Sequence, residues 1–203
     1  MIIESHAELV PVVARLRAEG LASLDTEFVW TRTYFPRLGI VQLAAADGTA
    51  WVADAAAAGP ALAGLLADPC TLKILHDARQ DLALLAAVTG AVPRRVFDTR
   101  LAAGFAGCAT TVSLKQILRD LLEVDLPKTE TRTDWCRRPL SAEQIEYALD
   151  DVRHLGRLRQ TLLARVAERG ATGWLEEELR IYDDPRLYAP LEPDDAWRRV
   201  RGG

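Results

Sequence analysis

Residues 21–28, Leu-Ala-Ser-Leu-Asp-Thr-Glu-Phe, constrain the fold of this chain more than any other stretch. The run reads as a buried β-strand bounded on its N-terminal side by Gly20. Successive side chains on a strand point to opposite faces. Asp25 and Glu27 therefore project together from backbone positions roughly 6.5 Å apart, and Leu24, Thr26 and Phe28 project the other way. Two like charges side by side in a partly desolvated site repel. The usual relief is a raised pKa on one of them or a bound cation. Carboxylates are hard oxygen ligands, so magnesium or manganese is the natural cation. Taken alone, an Asp-x-Glu strand is equally an exposed strand face, so partners must come from elsewhere in the chain.

The sequence around this strand predicts an α/β domain. Ser5 with Glu8 is a capping-box pattern, and Leu9, Val12, Val13 and Leu16 follow at helical spacing up to Gly20. Residues 40–44 form a second apolar strand, Asp47-Gly48 is a hairpin signal, and residues 51–54 return as a third. Beyond Pro60 the order changes. Leu62, Leu65 and Leu66 predict a short helix, 72–76 a strand, 78–88 a helix, 96–98 a strand and 99–105 a helix. Strands alternating with helices require parallel crossovers, so the three antiparallel neighbours and the later strands make a mixed sheet with helices on it. Residues 113–122 read as helical and 127–138 as a polar loop rich in Thr and Arg. Ser141 with Gln144 is a second capping box. It opens the longest expected helix, to about Glu168, with the stripe Ile145, Ala148, Leu149, Val152, Leu155, Leu158, Leu162 and Val166. A short helix over 170–182 closes the domain, giving a catalytic unit of 1–182 and a tail of 183–203.

Charge and cysteine usage exclude several classes. The 203 residues carry a formal net charge of −4, so binding to nucleic acid must come from local patches and not from bulk charge. Cys70, Cys108 and Cys136 are scattered without zinc-ligand spacing, which argues against structural zinc and a disulfide framework. The N-terminus lacks the basic-then-apolar order of a signal peptide, and no apolar run is long enough to span a membrane. The expectation is a soluble cytoplasmic protein with no membrane partner. P-loop, dinucleotide-binding and nucleophile-elbow signatures are absent. The sequence says nothing of oligomeric state.

Further acids stand at two places. In His76-Asp77-Ala78-Arg79-Gln80-Asp81, where a strand feeds a helix, Asp77 and Asp81 are one turn apart and spacing does not choose between them. Asp77 suits the role of a helix N-terminal acid favoured by the macrodipole. On the late helix Tyr147 and Asp151 are also one turn apart. An amphipathic aromatic and a solvated helix acid, Asp150 or Asp151, would look the same.

Together these pieces resemble the three motifs of the DEDD-type exonucleases, in the subgroup with tyrosine, and within it the ribonuclease D family. Residues 34–38 (Tyr-Phe-Pro-Arg-Leu), 97–103 (Phe-Asp-Thr-Arg-Leu-Ala-Ala) and 128–140 are similar to stretches of that family in the same order. The resemblance covers nearly the whole chain. It implies Asp81 and not Asp77, and Asp151 and not Asp150, as the motif acids. It also implies an RNase H-like α/β fold, a mixed five-stranded sheet flanked by helices. Ribonuclease D continues into helical accessory domains of the HRDC type, whose approach residues 193–199 resemble. The expectation here is the catalytic domain without them.

Such a site supports phosphodiester hydrolysis with two divalent ions, Mg2+ or Mn2+, about 3.5–4 Å apart. Asp25, Glu27 and Asp151 are expected to hold the ions directly, with Asp81 helping through water. Tyr147, a poor base at a phenol pKa of ~10, is expected to orient the attacking water. The family implies removal of nucleotides one at a time from single-stranded RNA 3′ ends as 5′-monophosphates. Phe28 is a candidate surface for base stacking, with a core phenylalanine as the alternative. Arg132, Arg137 and Arg138 are candidates for phosphate contacts, with structural ion pairs as theirs. His76 reads as a structural histidine. The competing functions are degradation of very short oligoribonucleotides, in the manner of nanoRNases, a single-stranded DNA exonuclease, and a non-catalytic nucleic-acid-binding module.

Overall fold

The computed structural model describes residues 2–30, 35–127 and 133–189. A short strand β1 (Ile2–Ile3) leads into α1 (His6–Glu19), whose capping box forms as the sequence predicts. The Glu8 amide donates to Ser5 Oγ at 3.3 Å, and the Glu8 carboxylate accepts from the Ser5 amide at 3.1 Å. Gly20 ends the helix at φ 69°, the left-handed position that favours glycine. It delivers the chain directly into β2 (Leu21–Val29), followed by β3 (Arg37–Ala44) and β4 (Ala50–Asp54). The remaining elements are α2 (Pro60–Ala67), β5 (Leu72–Leu75), α3 (Arg79–Thr89), β6 (Val96–Asp98), α4 (Thr99–Phe105), α5 (Leu114–Leu122), α6 (Ala142–Arg153), α7 (Leu155–Glu168) and α8 (Thr172–Leu179). Single 3-10 turns follow at 180–183 and 185–188.

The strands form one mixed sheet in the order β1-β4-β3-β2-β5-β6. β3 runs antiparallel to β2 and β4, and β5 and β6 run parallel to β2. The expected five strands are all present. A sixth is added at the edge, where Ile2 and Ile3 pair with Val52 and Ala53. Two residues before a capping box carry no strand periodicity, so this strand was invisible in the sequence. Among the described residues no helix is long and apolar enough to cross a membrane.

Alternation along the strands sorts the core into two sides. Leu24, Val41, Leu43 and Ala53 face α1, α2 and α3, where they pack with Leu9, Leu16, Leu65 and Leu82. On the other side Ala44, Ile74 and Phe97 lie beneath α4, α5 and α7, and Ile40 and Val52 beneath Ala148 of α6. Burial of each large apolar side chain contributes about 1.5–3 kcal/mol, so the two sides together make the sheet a rigid platform. In the register, Asp25 pairs with Gln42 and Glu27 with Ile40. Both acids therefore look toward α6.

The longest predicted helix is in fact two. The chain breaks at His154 (φ −102°, ψ −8°), separating α6 from α7. Ala148 of α6 joins the small cluster over β3 and β4, whereas Leu155, Leu158 and Leu162 of α7 join the larger one over β5 and β6. The break lets one continuous apolar stripe turn from one cluster to the other.

Candidate active site

Two features of the sheet open the site. β5 stops at Leu75 and pairs with β2 over Leu21–Ser23 alone, so from Leu24 onward β2 has no strand on that side. A bulge between Glu27 and Phe28 sets Gly39 out of register, since Glu27 pairs with Ile40 and Phe28 with Leu38. The crevice at the end of β2 is where open α/β sheets place ligands. A pocket of about 250 Å³ lies there, lined by Asp25, Glu27, His76, Tyr147, Asp151 and Leu155, among others.

Three acids from two elements meet in it. Ligand oxygens of Asp25, Glu27 and Asp151 all lie within 4.8 Å of one another. Asp81 stands outside this group: it rises from the first turn of α3, on the other side of the sheet, and its carboxylate accepts a hydrogen bond from Thr26 Oγ1. Tyr147 stands one turn before Asp151 on α6 and lines the same pocket beside its carboxylate.

The acids repel. Desolvation raises the Asp25 pKa well above the usual carboxylate range, and the charges of Asp81, Asp151 and Glu27 add to it. Glu27 is pushed up to about 8, first by burial and then by Asp151 and Asp81. Asp151 rises to about 7 through burial, then Asp150, against the lowering effect of the Tyr147 hydroxyl. Asp81 rises to about 6 through burial, opposed by Thr26. Burial and the three nearby carboxylates push the Tyr147 phenol further up, so it stays protonated. An all-oxygen cluster whose members resist ionisation together fits a hard divalent cation, which would neutralise the charge at its source. Gln42, opposite Asp25, is fully buried, and its amide makes no hydrogen bond among the described residues.

The surrounding residues fix the site. Trp135, 4% exposed, stacks on Tyr147 with ring centroids 5.9 Å apart. A Cβ on Gly39 would come within 2.5 Å of the Trp135 carbonyl oxygen, so the bulge needs glycine for this loop to dock. His76 uses both ring nitrogens on the protein, toward Thr99 Oγ1 at 2.9 Å and the Val112 carbonyl at 3.2 Å, and is structural. Asp77 is not the helix N-terminal acid expected of it. It lies before α3 at φ 62° and pairs with Arg100, and the helix start is held instead by Asp98. Sequence reading assigned no role to Asp98, although its place just before Thr99-Arg100 is an N-cap signal for α4. Asp150 is buried and paired with Arg153 at 2.8 Å.

The candidate substrate residues divide. Phe28 lies on the Asp81 side of β2, partly packed against the core and partly exposed. Arg137 is exposed and lines a separate cleft near the start of α6. Arg138 is corrected to a structural role. Its guanidinium binds Asp54, with Nε at 2.6 Å and Nη2 at 2.5 Å, and the carbonyls of Trp135, Arg137 and Gly39, which leaves no donor for a phosphate. Arg132 and the 31–34 stretch lie outside the described residues.

Residues 1–167 match the model of a 3′-5′ exonuclease domain. The chain belongs to the 3′-5′ exonuclease family. A ribonuclease D from Desulfotalea psychrophila is 42% identical over 203 residues, covering 99% of this chain and 54% of that protein. The crystal structure of Escherichia coli RNase D superposes with a TM-score of 0.86 at 32% identity, covering 98% of this chain and 53% of that one. Brucella melitensis NrnC superposes with a TM-score of 0.81 at 30% identity, covering 98% and 94%. The chain thus spans about half the length of the curated ribonuclease D relatives it matches. The mixed sheet flanked by helices is the RNase H-like fold of these exonucleases.

Proposed function

We propose that this chain is a catalytic domain that hydrolyses RNA from the 3′ end, releasing 5′-mononucleotides, in the cytoplasm. The observation that carries the reading is the convergence of Asp25, Glu27 and Asp151 within 4.8 Å beside Tyr147. In this reading residues 1–182 are the catalytic unit, and of the expected C-terminal tail 183–203 the turn at Pro185–Tyr188 packs on that unit.

Asp25, Glu27 and Asp151 would hold divalent ions, with Asp81 assisting through water. Mg2+ is the favoured ion, a Brucella melitensis NrnC structure having been solved with bound Mg2+, and Mn2+ is the alternative. When bound, such ions lower the pKa of water and stabilise charge on the leaving 3′ oxygen. The protein's own part is positioning. Tyr147, kept protonated by burial and placed beside Asp151, orients the attacking water through its hydroxyl. Trp135 and the Gly39 bulge fix the Tyr147 ring. Bound cations would supply the positive charge that an RNA phosphate needs beside these acids, which ties substrate binding to ion loading. Phe28 offers its exposed edge to a terminal base, a stack typically worth ~1–3 kcal/mol that tolerates any sequence. Arg137 contacts the backbone further along the strand.

A second reading, degradation of very short RNA, is supported by the superposition on nearly the full length of Brucella melitensis NrnC, a protein also solved with pGG. Labelled RNAs of 2, 5 and about 20 nucleotides and a single-stranded DNA, each with Mn2+ or chelator, separate the possibilities. Stepwise 3′ shortening of the longer RNAs supports the first reading. Cleavage of the dinucleotide alone supports the second, DNA preference makes the chain a DNA exonuclease, and binding without any cleavage makes it a non-catalytic module.

A further inference from the structure

We infer that Tyr182 and Asp98 form a latch that sets the position of Asp81, making the C-terminal turns of the domain part of the cation site. The inference rests on the reading above, in which Asp81 assists cation binding.

The latch is built around one buried carboxylate. Asp98, 3% exposed, ends β6 and accepts five hydrogen bonds. Its Oδ1 takes the amides of Arg100 at 2.8 Å and Leu101 at 3.3 Å, capping α4, and the amide of Asp77 at 3.0 Å. Its Oδ2 takes the amide of Ala78 at 3.0 Å and the Tyr182 hydroxyl at 2.6 Å. An ionised carboxylate has about four lone-pair sites, so this one is saturated. Among the described residues Tyr182 is its one side-chain donor, and a bond to a charged acceptor is of the stronger kind.

The entry to α3 cannot hold itself. Ala78 at the helix start carries no capping group, and Asp77 sits at φ 62°, a left-handed conformation that non-glycine residues adopt at a cost. Asp98 secures both amides from the end of the neighbouring strand, where it pairs with Leu75. Asp81 lies three residues beyond Ala78 in the first turn, so any shift of that turn moves its carboxylate relative to Thr26 and Asp25. Tyr182 in turn belongs to a fastened segment. The Tyr188 hydroxyl donates to the Tyr182 carbonyl at 2.7 Å, Asp183 accepts from the Arg95 amide at 2.8 Å, and the Asp183 carbonyl accepts from Arg94 at 3.2 Å. The turns at 180–188 are thereby tied both to the loop before β6 and to the acid that ends it.

Tyr182→Phe keeps the buried ring and removes the hydroxyl alone. Titrated with Mn2+ by calorimetry, this variant is expected to bind about tenfold more weakly, the usual effect of losing a group that orients a metal ligand. Hydrogen exchange of the metal-free variant is expected to show faster exchange of the amides of residues 77–82. Asp98→Asn should reproduce both effects, and Tyr188→Phe, which leaves the Tyr182 hydroxyl on Asp98 and the Asp183 ties to Arg94 and Arg95 in place, should give clearly smaller changes in both. Wild-type Mn2+ affinity and exchange in Tyr182→Phe, with weakened binding in Asp81→Asn, would overturn the latch alone. Wild-type Mn2+ affinity in Asp81→Asn as well would mean that Asp81 takes no part in the site. Equal losses in Tyr182→Phe and Tyr188→Phe would reduce the latch to general packing and overturn it too. Should Asp98→Asn fail to fold, the Tyr182→Phe and Tyr188→Phe pair still decides.

Discussion

Replacing Asp151 by asparagine should stabilise the metal-free protein at alkaline pH while removing its response to manganese. In the folded chain the Asp151 carboxyl is held up at about 7, chiefly by burial and then by Asp150, against an ordinary value of 3.8. A folded pKa above the unfolded one means that the folded state keeps its proton longer. The associated stability is present in full below about pH 4 and is lost as pH rises through about 7. Glu27, held up at about 8, and Asp81, at about 6, act in the same direction. The difference between about 7 and 3.8, at about 1.4 kcal/mol per pH unit, sets a ceiling of roughly 4 kcal/mol. Asp151 is partly exposed, and solvent screening reduces the figure to roughly 2 kcal/mol. For a chain of this size that corresponds to a melting temperature about 4–8 °C higher in the variant. The assay is thermal unfolding at pH 5 and pH 8.5, in EDTA and in MnCl2. The variant should melt above the wild type in EDTA at pH 8.5, the gap should close at pH 5, and Mn2+ should raise the wild type far more than the variant. A variant that melts below the wild type in EDTA at pH 8.5 would refute the reasoning, because Asp151 would then be a stabilising partner and not a repelled charge.

Three other substitutions probe the support of the site. Tyr147→Phe should lower kcat about 100-fold in steady-state kinetics on labelled RNA, the scale of a lost group that positions the attacking water. Gly39→Ala should lower stability by about 1–3 kcal/mol in urea unfolding, because its Cβ meets the Trp135 carbonyl at 2.5 Å, and should depress kcat by disturbing the Trp135 stack on Tyr147. Arg138→Ala should cost stability by about 1–3 kcal/mol with little change in KM for RNA, whereas Arg137→Ala should raise KM and leave the melting temperature in place, as measured by steady-state kinetics and thermal scans.

The parts of the molecule set by local physics were legible in the sequence. Both capping boxes, Ser5/Glu8 and Ser141/Gln144, start helices as read, Asp47-Gly48 makes its turn, and the Asp25/Glu27 alternation places both acids on one face. What escaped depends on contacts between segments distant in the chain. The break at His154 lies where the apolar stripe passes from the cluster of Ala148 to the cluster shared by Val152 and Leu155, which no periodicity records. Asp98 looks like an ordinary cap for α4 until the fold brings the amides of Asp77 and Ala78 to it. For Arg138 the sequence leaves a phosphate contact and a structural ion pair both open, because Asp54, its partner, is 84 residues away. Gln42 carried no signal at all, being one polar residue in an apolar strand, and only the register shows it opposite Asp25.

The central claim is that Asp25, Glu27 and Asp151 form one cation-dependent centre acting on RNA 3′ ends. The most direct measurement follows a 5′-labelled 20-mer RNA on a sequencing gel with wild-type protein and with Asp25→Asn of verified circular dichroism, each in Mg2+ and in EDTA. The account predicts a ladder shortening by single nucleotides for the wild type in Mg2+ and intact RNA in the other three lanes. Shortening of the RNA in EDTA, or by folded Asp25→Asn protein at the wild-type rate, would contradict it.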